Sequence, residues 1–170
     1  TKGFHIFLKA SIKTLREYPN VKFLVAGKFE TRTRVLLEKI NNNVGREVLM
    51  PLGFLNHGKI LKLYSKSYAT IFPSITEEPL PYTVLESMLM GTIPIASNVG
   101  GVSEIVSGTF AEKFLFEPGN SDAVVNGIKN ILTLTKEELI DMGRNLREKT
   151  LKKFNNENTL RKLLRVFMND

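Results

Sequence analysis

Two glutamates, Glu78 and Glu86, are the residues of this chain whose type and spacing could do chemistry, and the second follows the first by eight positions. Glu78 lies in a proline-rich loop, and Glu86 lies in an apolar stretch that predicts a short helix. A carboxylate among apolar side chains needs a partner or an open edge on a cleft. The helix would begin between the two acids, and a helix N-terminus is a natural anion site. The pattern favours a ligand with hydroxyls at both ends and phosphate in the middle, as in a nucleotide-sugar.

Pro81 predicts where that helix begins, since proline suits the first helical position. The N–H groups of Tyr82 and Thr83 then have no acceptor within the helix, and we include that of Val84 with them. These N–H groups can donate to a diphosphate. Glu86 lies roughly 7.5 Å further along the axis, about the span from a phosphate to its ribose hydroxyls. A carboxylate accepts two hydroxyl hydrogen bonds, which suits a vicinal diol. A glutamate pair at this spacing also arises by chance, so the surroundings must decide.

Strands and helices alternate along the chain. We expect strands over residues 21–27, 48–52, 69–73, 93–97 and 114–116, and helices over 3–18, 31–43, 56–67, 81–90, 101–106, 121–134, 136–154 and 156–168. Asn56 and Asn156 are the expected N-caps of two of these helices, and Gly91 the residue that ends a third. Three asparagines should fray the end of the second helix.

This alternation predicts an α/β fold in which a Rossmann-like parallel sheet is covered by helices on both faces, with extra C-terminal helices. Ligands bind such sheets at the carboxyl ends of the strands. The Glu78 loop, the turn over residues 53–55 and the Gly100–Gly101 turn all follow strands, so we expect them to share one rim. The glycine pair alone predicts only a tight turn.

Composition narrows the classes of function. The chain has 170 residues, 42% of them apolar and 24% charged, which predicts one soluble globular domain over residues 1–170. It has no cysteine, which excludes disulfide and thiolate chemistry. The two histidines, His5 and His57, are far apart in sequence and indicate neither a zinc site nor a catalytic triad.

The net charge is +7, with much of the excess near the C-terminus. Basic faces attract nucleic acid, anionic lipid or phosphorylated substrates, or simply solubilise a protein. No aromatic residue is interleaved with these charges, so we expect no nucleic-acid partner. The residues concerned are Lys149, Lys152, Lys153, Arg161, Lys162 and Arg165.

The segment from Pro73 to Val106 resembles the C-terminal domain of family 4 glycosyltransferases. These are retaining enzymes of the GT-B fold whose hallmark is a pair of glutamates separated by seven residues, as in this chain. Pro73-Ser74 before the pair, and Gly91-Thr92-Ile93-Pro94 and Gly100-Gly101 after it, strengthen the match. The resemblance covers essentially the whole chain and implies one nucleotide-sugar-binding half of a GT-B enzyme. The N-terminal acceptor domain would be absent, and the isolated half inactive.

The resemblance also implies roles for individual residues. Glu86 would hold the ribose hydroxyls, and Glu78, the candidate catalytic residue, would contact the donor sugar. Lys2 would neutralise the diphosphate, and the backbone of Leu55 would meet the base, unless Leu55 is only a turn residue packed into the core. The remaining candidates are the backbone positions that would meet the diphosphate and the sugar, namely Leu80, Pro81, Tyr82 and Thr83.

There are departures from the family pattern. Where the family often has Gly-Phe-Gly, this chain has Pro79-Leu80-Pro81, which costs two glycine N–H donors. The family's arginine, ahead of the Lys2-Gly3 element, would precede Thr1.

The mechanism implied by the resemblance is transfer of a sugar from a UDP-, GDP- or other nucleotide-sugar with retention of configuration. No metal or cofactor is expected, because lysine and a helix terminus can offset the leaving charge. A glycosidase-like use of the two acids is not expected.

The resemblance further implies a cytoplasmic protein, peripheral at the inner membrane face if its acceptor is lipid-linked. Two alternatives stay open: a related GT-B enzyme such as a nucleotide-sugar epimerase, and a non-enzymatic basic module that binds nucleic acid or a membrane.

In the fold that the resemblance implies, the last helix can cross back to the N-terminal domain. Part of its apolar face, formed by Leu160, Leu163, Leu164 and Phe167, should then be incompletely buried in this chain.

Overall fold

The protein's structure, a computed structural model, describes residues 2–155 as an alternation of strands and helices. In chain order the elements are α1 (Phe4–Glu17), β1 (Phe23–Ala26), α2 (Thr31–Val44), β2 (Leu49–Gly53), α3 (His57–Tyr64), β3 (Ala69–Phe72), α4 (Tyr82–Leu89), β4 (Ile93–Ser97), α5 (Val102–Val106), a 3₁₀ helix (Phe110–Phe114), β5 (Leu115–Phe116), α6 (Ser121–Leu132) and α7 (Lys136–Lys153). The helix expected over residues 156–168, with its Asn156 cap and its apolar face, lies outside the described residues.

Local signals explain most of the helix boundaries. The side chain of Asn56 accepts a hydrogen bond from the Lys59 N–H at 3.0 Å, so the predicted cap of α3 is confirmed. Gly91 follows the end of α4 with a φ of 78°, also as predicted. Thr135 and Glu138 form a reciprocal capping box that fixes the start of α7.

The predicted start of α4 and the predicted end of α2 are each wrong in detail. Pro81 is the N-cap of α4 rather than its first residue, because its ψ of 91° keeps it extended. The end of α2 is held rather than frayed, and the helix continues to Val44. There the Asn41 side chain donates to the carbonyl of Leu49 and accepts from the N–H groups of Val48 and Leu49, which ties α2 to β2.

The strands are parallel, and helices cover both faces, which confirms the predicted fold class. The side chains of β4 show the layering. Ile93 and Ile95 pack into a core shared with α1 and α6, whereas Ala96 packs into a second core shared with α4, α5 and α7. Within residues 2–155 no helix is long and apolar enough to cross a membrane.

The sheet is interrupted between β1 and β3. Hydrogen bonds join β1 to β2, β3 to β4, and β4 to β5, so the described strands form two parallel sheets. The apolar run over residues 21–27 predicts a buried strand, yet β1 is shorter and Leu24 is 40% exposed. The exposure arises because a cavity of 920 Å³ lies between β1 and β3.

Candidate functional site

Loops that follow β2, β3 and β4 carry the candidate residues, and in a parallel sheet such loops lie at the carboxyl ends of the strands. The Glu78 loop follows β3, Leu55 follows β2, and the Gly100–Gly101 turn follows β4. The rim is further built from α3 and α4, which contact each other.

Glu78 is held by a cation and a hydroxyl. Its Oε1 lies 2.7 Å from the Nζ of Lys2 and 3.2 Å from the Oγ of Ser74. The Ser74 side chain is buried, whereas Lys2 is mostly exposed. The structure therefore brings together two predicted site residues that are far apart in sequence, and it adds Ser74 to them.

Gly3 allows Lys2 to reach this position. Its φ is 70°, and a Cβ placed on it would lie 1.6 Å from the carbonyl oxygen of Pro73. No side chain fits there, since non-bonded atoms do not approach so closely. Close packing of Gly3 on the residue after β3 thus fixes Lys2 at the rim.

The Gly100–Gly101 turn supports the Glu78 loop from the other side. The N–H of Gly101 donates to the carbonyl of Glu78 at 3.0 Å. A Cβ on Gly100 would lie 2.2 Å from that carbonyl oxygen, and one on Gly101 would lie 2.1 Å from the carbonyl oxygen of Pro79. The pair is a tight turn, as predicted, and it also allows two backbone segments to touch.

Glu86 has a partner that sequence reasoning missed. Its Oε1 lies 2.8 Å from the Nε2 of His57, the first residue of α3. Glu86 is largely buried, with 22% of its side chain exposed, and His57 is exposed. Only the predicted Asn56 cap hinted at this contact, because it placed His57 at a helix start on the rim.

Tyr64, at the other end of α3, also faces α4. Burial raises the pKa of its phenol, and the charge of Glu86 raises it further, while a hydrogen bond with the Thr83 side chain acts in the opposite direction. The carbonyl of Tyr64 accepts from the Thr92 hydroxyl, just beyond α4. These contacts brace α4, and with it Glu86, against α3.

The start of α4 is only partly as predicted. The Val84 N–H donates to the Pro81 carbonyl at 3.0 Å, so the expectation that it is unpaired is wrong. The reason is that Pro81, as the N-cap, supplies the first helical acceptor. Tyr82 and Thr83 come before Val84 in the chain, so their N–H groups lie ahead of the first helical hydrogen bond of α4. The side chains of Leu80 and Tyr82 are 43% and 63% exposed, so this edge is open.

Leu55 is half-buried beside Phe54, whose side chain is 75% exposed. Among the described residues, Leu55 is not part of either apolar core. That counts against its alternative role as a core residue.

Two cavities of the structure lie away from the candidate site. The cavity between β1 and β3 and a second cavity of 460 Å³, lined by Tyr68, Gly91 and α7, contain neither Glu78 nor Glu86. In the described part of the chain, no three metal-binding side chains cluster closely enough to hold an ion.

The family model described as "Glycosyl transferases group 1" matches residues 1–149. An uncharacterised glycosyltransferase of Methanocaldococcus jannaschii is 31% identical over 133 residues, covering 78% of this chain and 33% of that protein. Lipopolysaccharide 1,2-N-acetylglucosaminetransferase of Salmonella typhimurium is 30% identical over 142 residues, with coverage of 77% and 36%. The chain therefore spans about a third of the length of these relatives.

Solved structures show the same fold at low identity. Anabaena HepE in complex with UDP and glucose superposes with a TM-score of 0.75 at 22% identity, covering 99% of this chain and 45% of that one. The catalytic domain of cholesterol-alpha-glucosyltransferase from Helicobacter pylori gives 0.69 at 19% identity, with coverage of 89% and 91%. Both are GT-B glycosyltransferases, so the described elements have the fold of a GT-B domain.

Proposed function

Because this chain belongs to the group 1 glycosyl transferases, we propose that it is the donor-binding half of a retaining, family 4 enzyme that takes a sugar from a nucleotide-sugar. One observation carries the proposal: Glu78 and Glu86 lie on either side of the start of α4, and each has its own partner, Lys2 and His57. Two separately held carboxylates suit the two ends of one extended ligand.

Glu86 is proposed to bind the ribose. Its Oε1 is held by His57, and among the described residues its Oε2 has no hydrogen-bond partner. The free oxygen can accept a ribose hydroxyl, and the diol can share Oε1 if His57 moves aside. Because Glu86 is largely buried on a helix braced by α3, little side-chain freedom is lost on binding.

Lys2 and Glu78 are proposed to bind the diphosphate and the sugar. In the structure the Nζ of Lys2 and the Oε1 of Glu78 lie 2.7 Å apart and form an ion pair. A diphosphate carries more charge than one carboxylate and would draw the lysine ammonium to itself. Glu78, still positioned by Ser74, would then accept hydroxyls of the donor sugar, and it is the residue we place nearest the reacting carbon.

The start of α4 is proposed to stabilise the leaving diphosphate. The N–H groups of Tyr82 and Thr83 lie at the positive end of the helix dipole. Together with Lys2 they supply the positive charge that a metal ion would otherwise provide. Leu80 and Pro81 shape the approach to these donors, and the backbone of Leu55, beside the exposed Phe54, is the proposed contact of the base.

Transfer itself requires an acceptor site, which we propose lies on a further domain of the whole protein. The matched part of this chain covers only 33% and 36% of the two relatives. The isolated chain should bind a donor without transferring its sugar. A cytoplasmic, membrane-peripheral location with a lipid-linked acceptor is part of the same proposal, and the net charge of +7 is its support.

Calorimetric titration of the 170-residue chain with UDP-glucose and with GDP-mannose tests the donor site. We expect one of the two to bind and Glu86→Ala to weaken that binding at least about tenfold, since hydrogen bonds to a charged group are lost. Glu77→Ala, which removes an exposed carboxylate from the loop before α4, is the control and should bind as the wild type does. If neither compound binds, or Glu86→Ala binds normally, the proposal fails.

A further inference from the structure

The cavity of 460 Å³ along α7 lies at the rim of the sheet opposite to the candidate site. Tyr68 precedes β3, and Gly91 and Ile93 lie where the chain enters β4, so the cavity is at the amino ends of these parallel strands. Glu78 follows the carboxyl end of β3, and a strand of four residues spans roughly 13 Å. The cavity along α7 is therefore separate from the donor site that we propose.

One face of α7 forms a wall of this cavity. The residues of α7 that line it recur at spacings of three and four positions, which places them on one side of the helix. They are Lys136, Leu139, Ile140, Gly143, Arg144 and Arg147. Gly143 brings this face against the end of α4, because a Cβ on it would lie 2.4 Å from the carbonyl oxygen of Gly91. A glycine inside a helix is destabilising relative to alanine, and this close backbone contact is what the glycine permits.

The charged side chains around the cavity are all of one sign. Four cations line it, and no aspartate or glutamate does: Lys66 just beyond α3, and Lys136, Arg144 and Arg147 of α7. All four side chains are exposed. Within residues 2–155, only Arg144 of the four forms an ion pair, at 3.5 Å with Asp141. Four like charges around one concave surface attract an anion between them.

Helix ends and the one ion pair account for only part of this charge. The helices α3 and α4 end at the cavity, at Ser65 and Met90, and each helix C-terminus carries roughly half a negative charge. Asp141 offsets the charge of Arg144. Of the four positive charges, about two then remain. A phosphate monoester carries about 1.5 to 2 negative charges at neutral pH, so it matches the cavity in charge.

Apolar side chains accompany the cations. Tyr68 and Ile140 line the cavity and are 66% and 51% exposed. An aromatic ring and a branched aliphatic side chain next to the cations suit the organic part of a phosphate ester. The volume of 460 Å³ also lies within the range of small-molecule sites, about 300–1,000 Å³. The lining therefore offers both a charged and an apolar contact to one ligand.

We propose that the cavity along α7 binds a phosphate monoester whose organic part contacts Tyr68 and Ile140. Arg144 and Arg147 bind the phosphate oxygens, since a guanidinium can donate two parallel hydrogen bonds to a phosphate. Lys66 and Lys136 add positive charge. Soluble phosphate esters and the headgroup of phosphatidic acid present the same chemistry to the cavity, and the experiment includes both.

The first arm is a ¹H–¹⁵N NMR titration of the 170-residue chain with phenyl phosphate at constant ionic strength. We expect saturable shifts of the amides of Tyr68, Gly91, Ile140 and Gly143. The double change Arg144→Gln with Arg147→Gln should weaken binding at least about tenfold, because hydrogen bonds between charged groups are lost. Both arginines are exposed, so this variant should keep its fold.

Two matched variants separate a specific site from a general effect of charge. Arg32→Gln with Arg34→Gln removes the same charge from exposed positions of α2 and should bind phenyl phosphate as the wild type does. Arg144→Lys with Arg147→Lys keeps the charge at the cavity. It should bind more tightly than the glutamine variant, because lysine still attracts phosphate as a point charge.

The second arm identifies the source of the phosphate. Cosedimentation is measured with vesicles of four parts phosphatidylcholine to one part phosphatidic acid, and with phosphatidylcholine vesicles as the control. Binding to the first vesicles that Arg144→Gln with Arg147→Gln reduces would support the proposal with a lipid as the ligand. Saturable shifts with phenyl phosphate and no binding to either kind of vesicle would support it with a soluble ester.

Three results would overturn the proposal. The first is that neither phenyl phosphate nor the vesicles with phosphatidic acid bind. The second is that Arg144→Gln with Arg147→Gln binds as tightly as the wild type. The third is that the shifts are confined to the amides of Tyr82, Thr83 and Glu86, which would place phenyl phosphate at the candidate donor site instead.

Discussion

At the scale of single residues, the two glutamates differ in the groups that hold them. Glu78 meets an ammonium and a hydroxyl, whereas Glu86 meets an imidazole and lies near the half-buried phenol of Tyr64. The spacing in the sequence singled out both acids, and the resemblance assigned Lys2 to the diphosphate rather than to Glu78. The partners of the acids could not be predicted. His57 and Glu86, for example, come from different helices and meet only once α3 packs on α4.

Tyr64 gives a pH-dependent prediction. Its pKa is raised in the folded protein from an ordinary value of 10.0, mainly by burial. As pH rises above that value, the unfolded chain loses the phenol proton while the folded chain keeps it, so the free energy of unfolding should fall until the folded pKa is passed. Below the ordinary pKa of 10.0, the stabilisation that comes from the protonated phenol is fully present. Urea unfolding measured across this range should show the fall.

Tyr64→Phe should lose that part of the alkaline fall, whereas Tyr68→Phe, at an exposed position, should retain it. The same alkaline slope in the wild type and in Tyr64→Phe would show that the phenol is not held neutral by the fold. Donor binding by Tyr64→Phe at neutral pH should weaken only modestly, because the variant keeps the ring that packs between α3 and α4.

At the scale of elements, the site depends on backbone segments that touch. The Gly100–Gly101 turn packs on the Glu78 loop, and Gly3 packs on the residue after β3. The sequence predicted the turn and the rim on which it lies, since glycines after a strand indicate a turn. It could not predict the contact, because close approach between distant segments leaves no periodic pattern.

Gly101→Ala tests whether this contact positions Glu78. The φ of Gly101 is −77°, so alanine is not strained by its backbone, but its Cβ would lie 2.1 Å from the Pro79 carbonyl oxygen. The loop must move, and we expect a loss of about 1–3 kcal/mol in unfolding free energy with weaker donor binding. Urea unfolding and donor titration measure the two effects.

Gly58→Ala is the matched control, since Gly58 lies in α3 and a Cβ there would make only an ordinary contact, 3.9 Å from the Asn56 Oδ1. It should be neutral or stabilising by about 0.5–1 kcal/mol and should bind the donor normally. If Gly101→Ala also binds normally, then Glu78 is not positioned by the glycine turn.

At the scale of the whole molecule, the alternation of apolar strands and helices was sufficient to predict an α/β fold with parallel strands. The break between β1 and β3 was not predictable, because the run over residues 21–27 reads as a buried strand whether or not its neighbour is present. Leu24 is 40% exposed because it lines the cavity between β1 and β3.

The central claim is that the rim around Glu78 and Glu86 binds a nucleotide-sugar. It is tested most directly by ¹H–¹⁵N NMR of the 170-residue chain titrated with UDP-glucose and, separately, GDP-mannose. We predict saturable shifts of the amides of Leu55, Tyr82, Thr83 and Glu86 with one of these compounds. Shifts confined to the cavity between β1 and β3 or to the cavity along α7, or no saturable shift with either compound, would contradict the claim.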